Sequence, residues 1–379
     1  MILATLLSAL YWERPVVRIP DDMKNSDTGI YFTGNLNIIP MKTVETHTKK
    51  NTKSVYSATV GGFHKVNERI KIGASFTNAN YWFRNEYITY ISSKDYGRLE
   101  VGITNSGVYK MHLDVFDKTN LMGVVPVIFE DFQMNEVSAL THTKPFSATT
   151  SLRANWISPT ILSHFKVVGS MSLPNSYKIV DDIQESSIYN STLGVQVNDK
   201  VPEFAEAYSL GMRYKLEDTS IKVAYSLGVD YITDFKGLAD YNSLEVEEAK
   251  ERVELVSGLN LGWNSLNFSL SGKIIQDNIE LGSIENSSSS EGSVWSSSLQ
   301  YDILNSTIGI VYTQSKVEGD LTNLDMDLTT NLSLLYNYTI TPVFNVFTSV
   351  SFLDWESEDR VYDNGNRGEV FSLGVNLKF

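Results

Sequence analysis

The chain has 379 residues, of which 42% are apolar, 20% are charged and none is cysteine. This composition is too apolar for a disordered protein, and a formal net charge of −14 argues against nucleic acid as a partner, because phosphate binding needs a basic face. No apolar run approaches the roughly 20 residues of a transmembrane helix, which excludes a helical membrane protein but leaves open a transmembrane barrel built from alternating strands. Without cysteine, the chain has neither disulfides nor a thiolate metal site.

The N-terminal ten residues, Met1 to Leu10, are almost wholly apolar. They resemble the end of an export-signal core, although no basic region precedes them and no small-x-small cleavage site follows before Tyr11. We interpret residues 1–28 as a signal remnant and lead-in. An apolar segment packed inside a soluble fold is the alternative.

From residue 29 onward, apolar residues alternate with small or polar residues. Ile70, Ile72, Ala74 and Phe76 alternate with Lys71, Gly73, Ser75 and Thr77, and the same pattern continues to the C-terminus, where Phe371 and every second residue up to Phe379 are apolar. A period of two places the two sets on opposite faces of a strand. The sequence therefore predicts an all-β fold.

Short and long connections alternate along this pattern. The short turns are predicted at Val66–Arg69, Ser92–Tyr96, Ser158–Ser163, Glu217–Ser220, Trp263–Leu266, Leu304–Ser306 and Thr339–Val343. Turns of about four residues exclude a parallel sheet. About sixteen antiparallel strands with all long links at one end are typical of a closed transmembrane barrel.

Aromatic residues cluster at both ends of the predicted strands, as in the two interfacial girdles of such a barrel. Near the short turns are Trp156, Tyr214, Trp263, Tyr336, Tyr338 and Phe344, and toward the long links are Tyr81, Trp82, Phe83, Tyr231, Phe352 and Trp355. In a soluble β-protein the same residues would belong to the core.

Two stretches resemble a known family. The chain ends on Phe379 at the end of an apolar face, and Tyr96-Gly-Arg-Leu-Glu-Val-Gly102 is similar to the fifth-strand motif of the Gram-negative general porins, although Ile103 stands where those proteins usually have a basic residue. The resemblance implies one sixteen-stranded transmembrane β-barrel over residues 29–379, placed in the lipid bilayer and lipopolysaccharide of the outer membrane. It also implies a homotrimer, passive diffusion of ions and small hydrophilic solutes, and a long third loop, residues 106–147, that folds inward.

Charged residues of this loop and of the inward strand positions form the predicted pore constriction. The loop carries Asp114, Asp117, Glu130, Asp131 and Glu136, and the inward positions carry Lys71, Arg84, Arg98, Arg153, Lys166, Arg213, Lys215 and Lys222. An acidic loop facing a basic wall would select the solutes that pass. We expect the narrowest point to lie between Glu130 and Asp131 on one side and Arg84, Arg98 and Arg153 on the other. Scattered charges with no shared constriction are the alternative.

Other functions have weaker support in the sequence. The five histidines show no metal-binding spacing, and no serine, histidine and acid arrangement indicates a hydrolase. The loop carboxylates near 181–182, 245–254, 320–327 and 356–359 could bind Ca²⁺, or they form a solvated surface. A substrate-selective porin, a non-conducting adhesin or receptor barrel, and a soluble all-β binding protein remain as alternatives.

Overall fold

The computed structural model describes residues 27–44, 49–79, 86–115, 143–145, 151–172, 203–217, 220–236, 251–277, 292–318, 326–356 and 366–378. No helix in these ranges is long and apolar enough to cross a membrane. Of the predicted signal remnant and lead-in, 1–28, residues 1–26 lie outside the described part of the chain, and Thr28 already belongs to the first strand.

Sixteen strands and one short helix make up the described chain. The strands are β1 Thr28–Val44, β2 Lys49–Lys65, β3 Ile70–Ala79, β4 Glu86–Ser93, β5 Gly97–Thr104, β6 Ser151–Ile157, β7 Phe165–Ser172, β8 Glu203–Glu217, β9 Ile221–Lys236, β10 Glu251–Trp263, β11 Leu266–Asp277, β12 Gly292–Ile303, β13 Ser306–Glu318, β14 Met326–Thr341, β15 Phe344–Glu356 and β16 Asn366–Lys378. The helix, α1, comprises Gly107–Met111 and follows β5.

The strands form one closed antiparallel barrel in chain order, and β1 pairs with β16 to complete it. At this seam Asn37 lies opposite Asn376, and the side-chain amide of Asn376 donates to the Asn37 Oδ1 over 2.6 Å. Closure leaves no strand edge unpaired, which removes the usual site of aggregation in sheets. The predicted all-β, sixteen-stranded antiparallel barrel is confirmed.

The barrel is apolar outside and polar inside. Outward residues such as Leu210, Leu334 and Ile274 are exposed, Leu210 to 59%, whereas the inward Ser333 and Ser351 are fully buried. Soluble proteins bury their large aliphatic side chains and expose their polar ones. The reversed pattern is that of a barrel whose outer surface contacts lipid.

At one rim two to seven residues separate the strands, and at the other every separation except those at 45–48 and 80–85 has at least seven residues. We call these the short-turn rim and the long-link rim. The turns at 264–265 and 304–305 place Asn264 and Leu304 at positive φ, as tight hairpins require. The predicted short turns are confirmed except for Glu217–Ser220, of which residues 218–219 lie outside the described part of the chain.

The girdle prediction is correct at the short-turn rim, where Trp156, Trp263 and Tyr336 are exposed on the outer surface. It is wrong for Trp355, which is fully buried on the inner face. Trp355 has the same parity along β15 as the inward Ser349 and Ser351, so its side chain faces the lumen.

Inward aromatic rings lie flat against the wall over glycines that are their direct cross-strand partners. The pairs are Tyr31 with Gly61, Tyr90 with Gly73, and Phe347 with Gly374. A Cβ at each glycine would overlap the ring of its partner. The glycines therefore allow large aromatic side chains on the inner face without extending them across the lumen.

Candidate functional site

The first described part of the predicted third loop, residues 105–115, lies inside the barrel. Its helix α1 packs against β6, β7, β8 and β9. Ser106 caps the helix, because its Oγ accepts a hydrogen bond from the Tyr109 backbone N over 3.1 Å. We call residues 105–115 the inner segment.

Wall side chains bind the backbone of the inner segment at every second strand from β7 to β11. The backbone N atoms of Gly107, Leu113 and Val115 donate to the hydroxyls of Ser170 on β7 (3.2 Å), Ser226 on β9 (2.9 Å) and Ser271 on β11 (3.3 Å). Backbone N–H groups outside regular structure need such partners when they are buried. The serines of the inner wall therefore fix the course of the segment.

A second described piece, residues 143–145, meets the inner segment at β11. The Thr143 Oγ1 lies 3.0 Å from the His112 Nε2 and donates to the Ser271 Oγ over 2.9 Å. The Lys273 Nζ donates to the backbone O of Lys144 over 2.9 Å. Residues 116–142 and 146–150 lie outside the described part, so the constriction by the whole loop stays a prediction.

Three inward glycines form a seat for the inner segment. A Cβ at Gly228 would overlap Val108, one at Gly211 would crowd Val108, and one at Gly258 would overlap the backbone O and the Cβ of Leu113. Side chains at these positions would hold the segment away from the wall. The seat is thus specified by residues on β8, β9 and β10.

We expect Gly258→Ala to displace the inner segment and to cost about 1–3 kcal/mol of stability, as overpacking does. Single-channel recordings should then show added current noise or substates. Gly272→Ala on the neighbouring strand is the control, since the nearest atom to its Cβ is the Val294 O at 3.7 Å. Quiet, wild-type recordings from folded Gly258→Ala barrels would contradict the glycine seat.

A buried ion cluster connects the inner segment to β5. The Glu100 side chain is 0% exposed, and it accepts a hydrogen bond from the Lys110 Nζ over 2.6 Å and lies 2.7 Å from the Arg98 Nε. The Arg98 guanidinium stacks on the Tyr90 ring, 3.7 Å from its centroid. One carboxylate therefore compensates two cations, one from the wall and one from the loop.

The fifth-strand motif explains why Arg98 and Glu100 reach this position. Gly97 and Gly102 have φ values of +82° and +152°, which favour glycine, and a Cβ at Gly102 would overlap the Tyr87 backbone O. Between them Arg98 and Glu100 share the inward face, while Leu99 and Val101 are exposed outside.

The described cations of the predicted constriction all take inward positions on the wall. Lys71 lies 5.2 Å from the Phe63 ring centroid, Arg153 is fully buried opposite Gly102, and Arg213 is half-buried. Asp114 is buried within the inner segment. Arg84, Asp117, Glu130, Asp131 and Glu136 lie outside the described residues, so the pairing of an acidic tip with Arg84, Arg98 and Arg153 stays a prediction.

Several charged residues of the inner face were absent from the predicted site. They are Glu100, Lys110, Asp230, Glu254 and Lys273, all of them buried or nearly so on the wall or the inner segment. For the four wall residues the available signal was strand parity, since Glu100, for example, stands on the same face as Arg98 in the motif. Lys110 belongs to α1, and strand parity could not indicate its position. The predicted calcium-binding loop carboxylates lie largely outside the described chain, and the described residues contain no group of three or more His, Asp or Glu side chains that could hold a metal ion.

Comparisons with known proteins agree with this architecture. No protein-family model matches the chain, and no curated protein matches it. A loop-deleted form of OmpT, an outer membrane protein of Vibrio cholerae, superposes with a TM-score of 0.57 and 11% identity, covering 93% of this chain and 100% of that chain. The anion-selective porin of Comamonas acidovorans (TM-score 0.57, 10% identity, 93% and 100% covered) and OmpF of Salmonella typhi (TM-score 0.57, 10% identity, 94% and 99% covered) are similar to the same extent. The chain has the barrel fold of these three proteins.

Proposed function

We propose that the protein is an outer-membrane porin, whose barrel forms a water-filled channel for passive diffusion of ions and small hydrophilic solutes. The observation that carries this proposal is the closed sixteen-stranded barrel with an apolar outer surface and a polar inner face. Short turns would face the periplasm and long links the outside, as in other barrels of this kind. The solved structures that share the fold include proteins named porins.

The inner segment supports a role for the third loop in narrowing the lumen. It leaves the wall at Asn105, and its hydrogen bonds follow the inner face from β7 to β11. Asp114, Asp117, Glu130, Asp131 and Glu136 opposite Lys71, Arg84, Arg98, Arg153 and Arg213 remain our proposed constriction. We propose no chemical reaction for the barrel.

We also propose a homotrimer in the lipid bilayer and lipopolysaccharide of the outer membrane. One of the solved structures is described as a trimer form of the Vibrio cholerae OmpT. In this chain β5 has only eight residues, whereas β15 has thirteen. Eight residues tilted as in other barrels span roughly 20 Å, less than the apolar band of about 25 Å that lipid requires, so this side of the wall suits a subunit contact.

Planar-bilayer recording of the folded, detergent-extracted protein tests the proposal. We expect discrete conductance steps, in groups of three for a trimer, and a defined reversal potential in a salt gradient. The same preparation after heat denaturation is the control. A silent bilayer from folded barrel would overturn the porin function and favour the adhesin or receptor alternative.

A further inference from the structure

A groove of about 590 Å³ opens on the outer surface of the barrel at the short-turn rim. Its apolar lining includes Ile91 on β4, Leu99 on β5 and Trp156 on β6, all of which are exposed on the outer face. The turns at 66–69 and 94–96 form its end toward the rim. We call it the rim groove. Since the outer surface of the barrel contacts lipid, the rim groove opens toward the bilayer.

Charged side chains lie at the end of the rim groove that is formed by the turns. The Arg69 Nη1 lies 3.3 Å from the Asp95 Oδ2, and both side chains are more than half exposed. Glu68 belongs to the same lining, which therefore carries one cation and two carboxylates. An exposed ion pair adds little to the stability of a fold, so this pair is available to a charged ligand. The polar end and the apolar length of the groove have the same order as the headgroup and acyl chain of a membrane lipid.

Hydrogen bonds within and between the two turns fix the backbone that carries the ion pair. The Asn67 Oδ1 accepts from the Arg69 backbone N over 2.8 Å, and the Ser93 Oγ accepts from the Asp95 backbone N over 3.2 Å. The Lys94 backbone N donates to the Arg69 backbone O over 3.0 Å, which joins one turn to the other. A site that is already in place before its ligand arrives loses less conformational entropy on binding. The polar end of the rim groove is therefore preorganised.

We propose that the rim groove is a binding site for one zwitterionic phospholipid of the phosphoethanolamine class. The Arg69 guanidinium offers a planar pair of donors for two phosphate oxygens, and the Asp95 carboxylate accepts hydrogen bonds from the ammonium group. One acyl chain lies along Ile91 and Leu99. An acidic phospholipid has no cation to place beside Glu68 and Asp95, so the charges of the lining favour the zwitterion. Lipid binding at this outer surface does not depend on whether the lumen conducts.

Native mass spectrometry of the folded, detergent-solubilised protein tests the site, with phosphatidylethanolamine and phosphatidylglycerol of the same acyl chains added in turn. We expect wild type to retain one phosphatidylethanolamine per chain and to bind phosphatidylglycerol about three- to fivefold more weakly, because an exposed charge pair is worth a factor of about that size. Arg69→Gln should bind phosphatidylethanolamine about tenfold more weakly, since it loses a charge-assisted pair of hydrogen bonds. Arg367→Gln is the matched control, because it breaks an exposed ion pair with Asp354 at the long-link rim and should leave lipid retention unchanged.

Equal retention of both lipids by wild type, or wild-type retention of phosphatidylethanolamine by Arg69→Gln, would indicate nonspecific surrounding lipid only and would overturn the site. A second copy of the chain is the alternative occupant, because β5 lies on the side that we propose for the subunit contact. Arg69→Gln protein that loses its trimers while its lipid retention is unchanged would assign the rim groove to the neighbouring subunit instead. Barrels that retain phosphatidylethanolamine but form no channel would refute the porin function and support the site.

Discussion

Replacing Glu100 by glutamine is expected to destabilise the folded barrel by about 3–5 kcal/mol, because it removes the carboxylate from a buried cluster and leaves two cations without their compensation. The substitution keeps the size of the side chain and changes little but its charge. Lys110 would also lose the contact that fastens α1 to β5. In bilayer recordings the Glu100→Gln channel should be noisier than wild type. Its reversal potential in a salt gradient should shift toward the value of an anion-selective channel, because the substitution removes one negative charge.

Two further variants distinguish the effect of breaking the buried cluster from the effect of removing any charge. Lys110→Met should cost less than Glu100→Gln, since Glu100 still has Arg98 beside it, and a double-mutant cycle measures their coupling. Arg69→Gln removes the exposed ion pair with Asp95, 3.3 Å long, and should change the free energy of unfolding by at most about 1 kcal/mol. Urea unfolding in detergent gives all the values. Equal effects of Glu100→Gln and Arg69→Gln would show that the buried cluster has no special role.

Strand positions were predictable because they depend on local periodicity. Leu99, Val101 and Ile103 alternate with inward residues, and this pattern alone indicates an exposed apolar face on β5. The short turns follow from the same pattern, since each apolar alternation stops where a turn begins. Closure through the β1–β16 seam, which joins Asn37 to Asn376 across 339 residues, was expected only from the alternation of short and long links and from the resemblance to the porins.

The contacts of the inner segment were not predictable because they join residues far apart in the chain. Lys273 binds the backbone of Lys144, which lies 129 residues earlier, and Ser106 binds Asp230 across 124 residues. Strand parity shows that a side chain faces the lumen, but it does not show which residue of the loop contacts that side chain. Strand parity therefore placed Arg98 and Glu100 together on the inner wall, but it did not predict that Lys110 of α1 lies beside them.

Arginine at Leu334 is expected to cost about 2–4 kcal/mol in phospholipid vesicles, because Leu334 lies in the middle of β14 and its side chain is exposed on the outer face. A charged group at this depth of a bilayer loses its hydration, whereas one near the headgroups keeps it. Arginine at Ile340, on the same face but next to the turn at 342–343, should cost only about 0–1 kcal/mol. Chemical unfolding of vesicle-inserted protein measures both changes.

Leu334→Met controls for the loss of leucine packing, since a substitution of similar volume usually costs less than about 1.5 kcal/mol. The difference between the two arginine variants is the informative quantity, because both introduce the same side chain on the same face of the same strand. A barrel in water would tolerate arginine at both exposed positions to within about 0.5 kcal/mol. Equal small costs would therefore contradict a lipid-facing outer surface, and a cost that rises with distance from the rim supports the membrane-spanning barrel on which the channel depends.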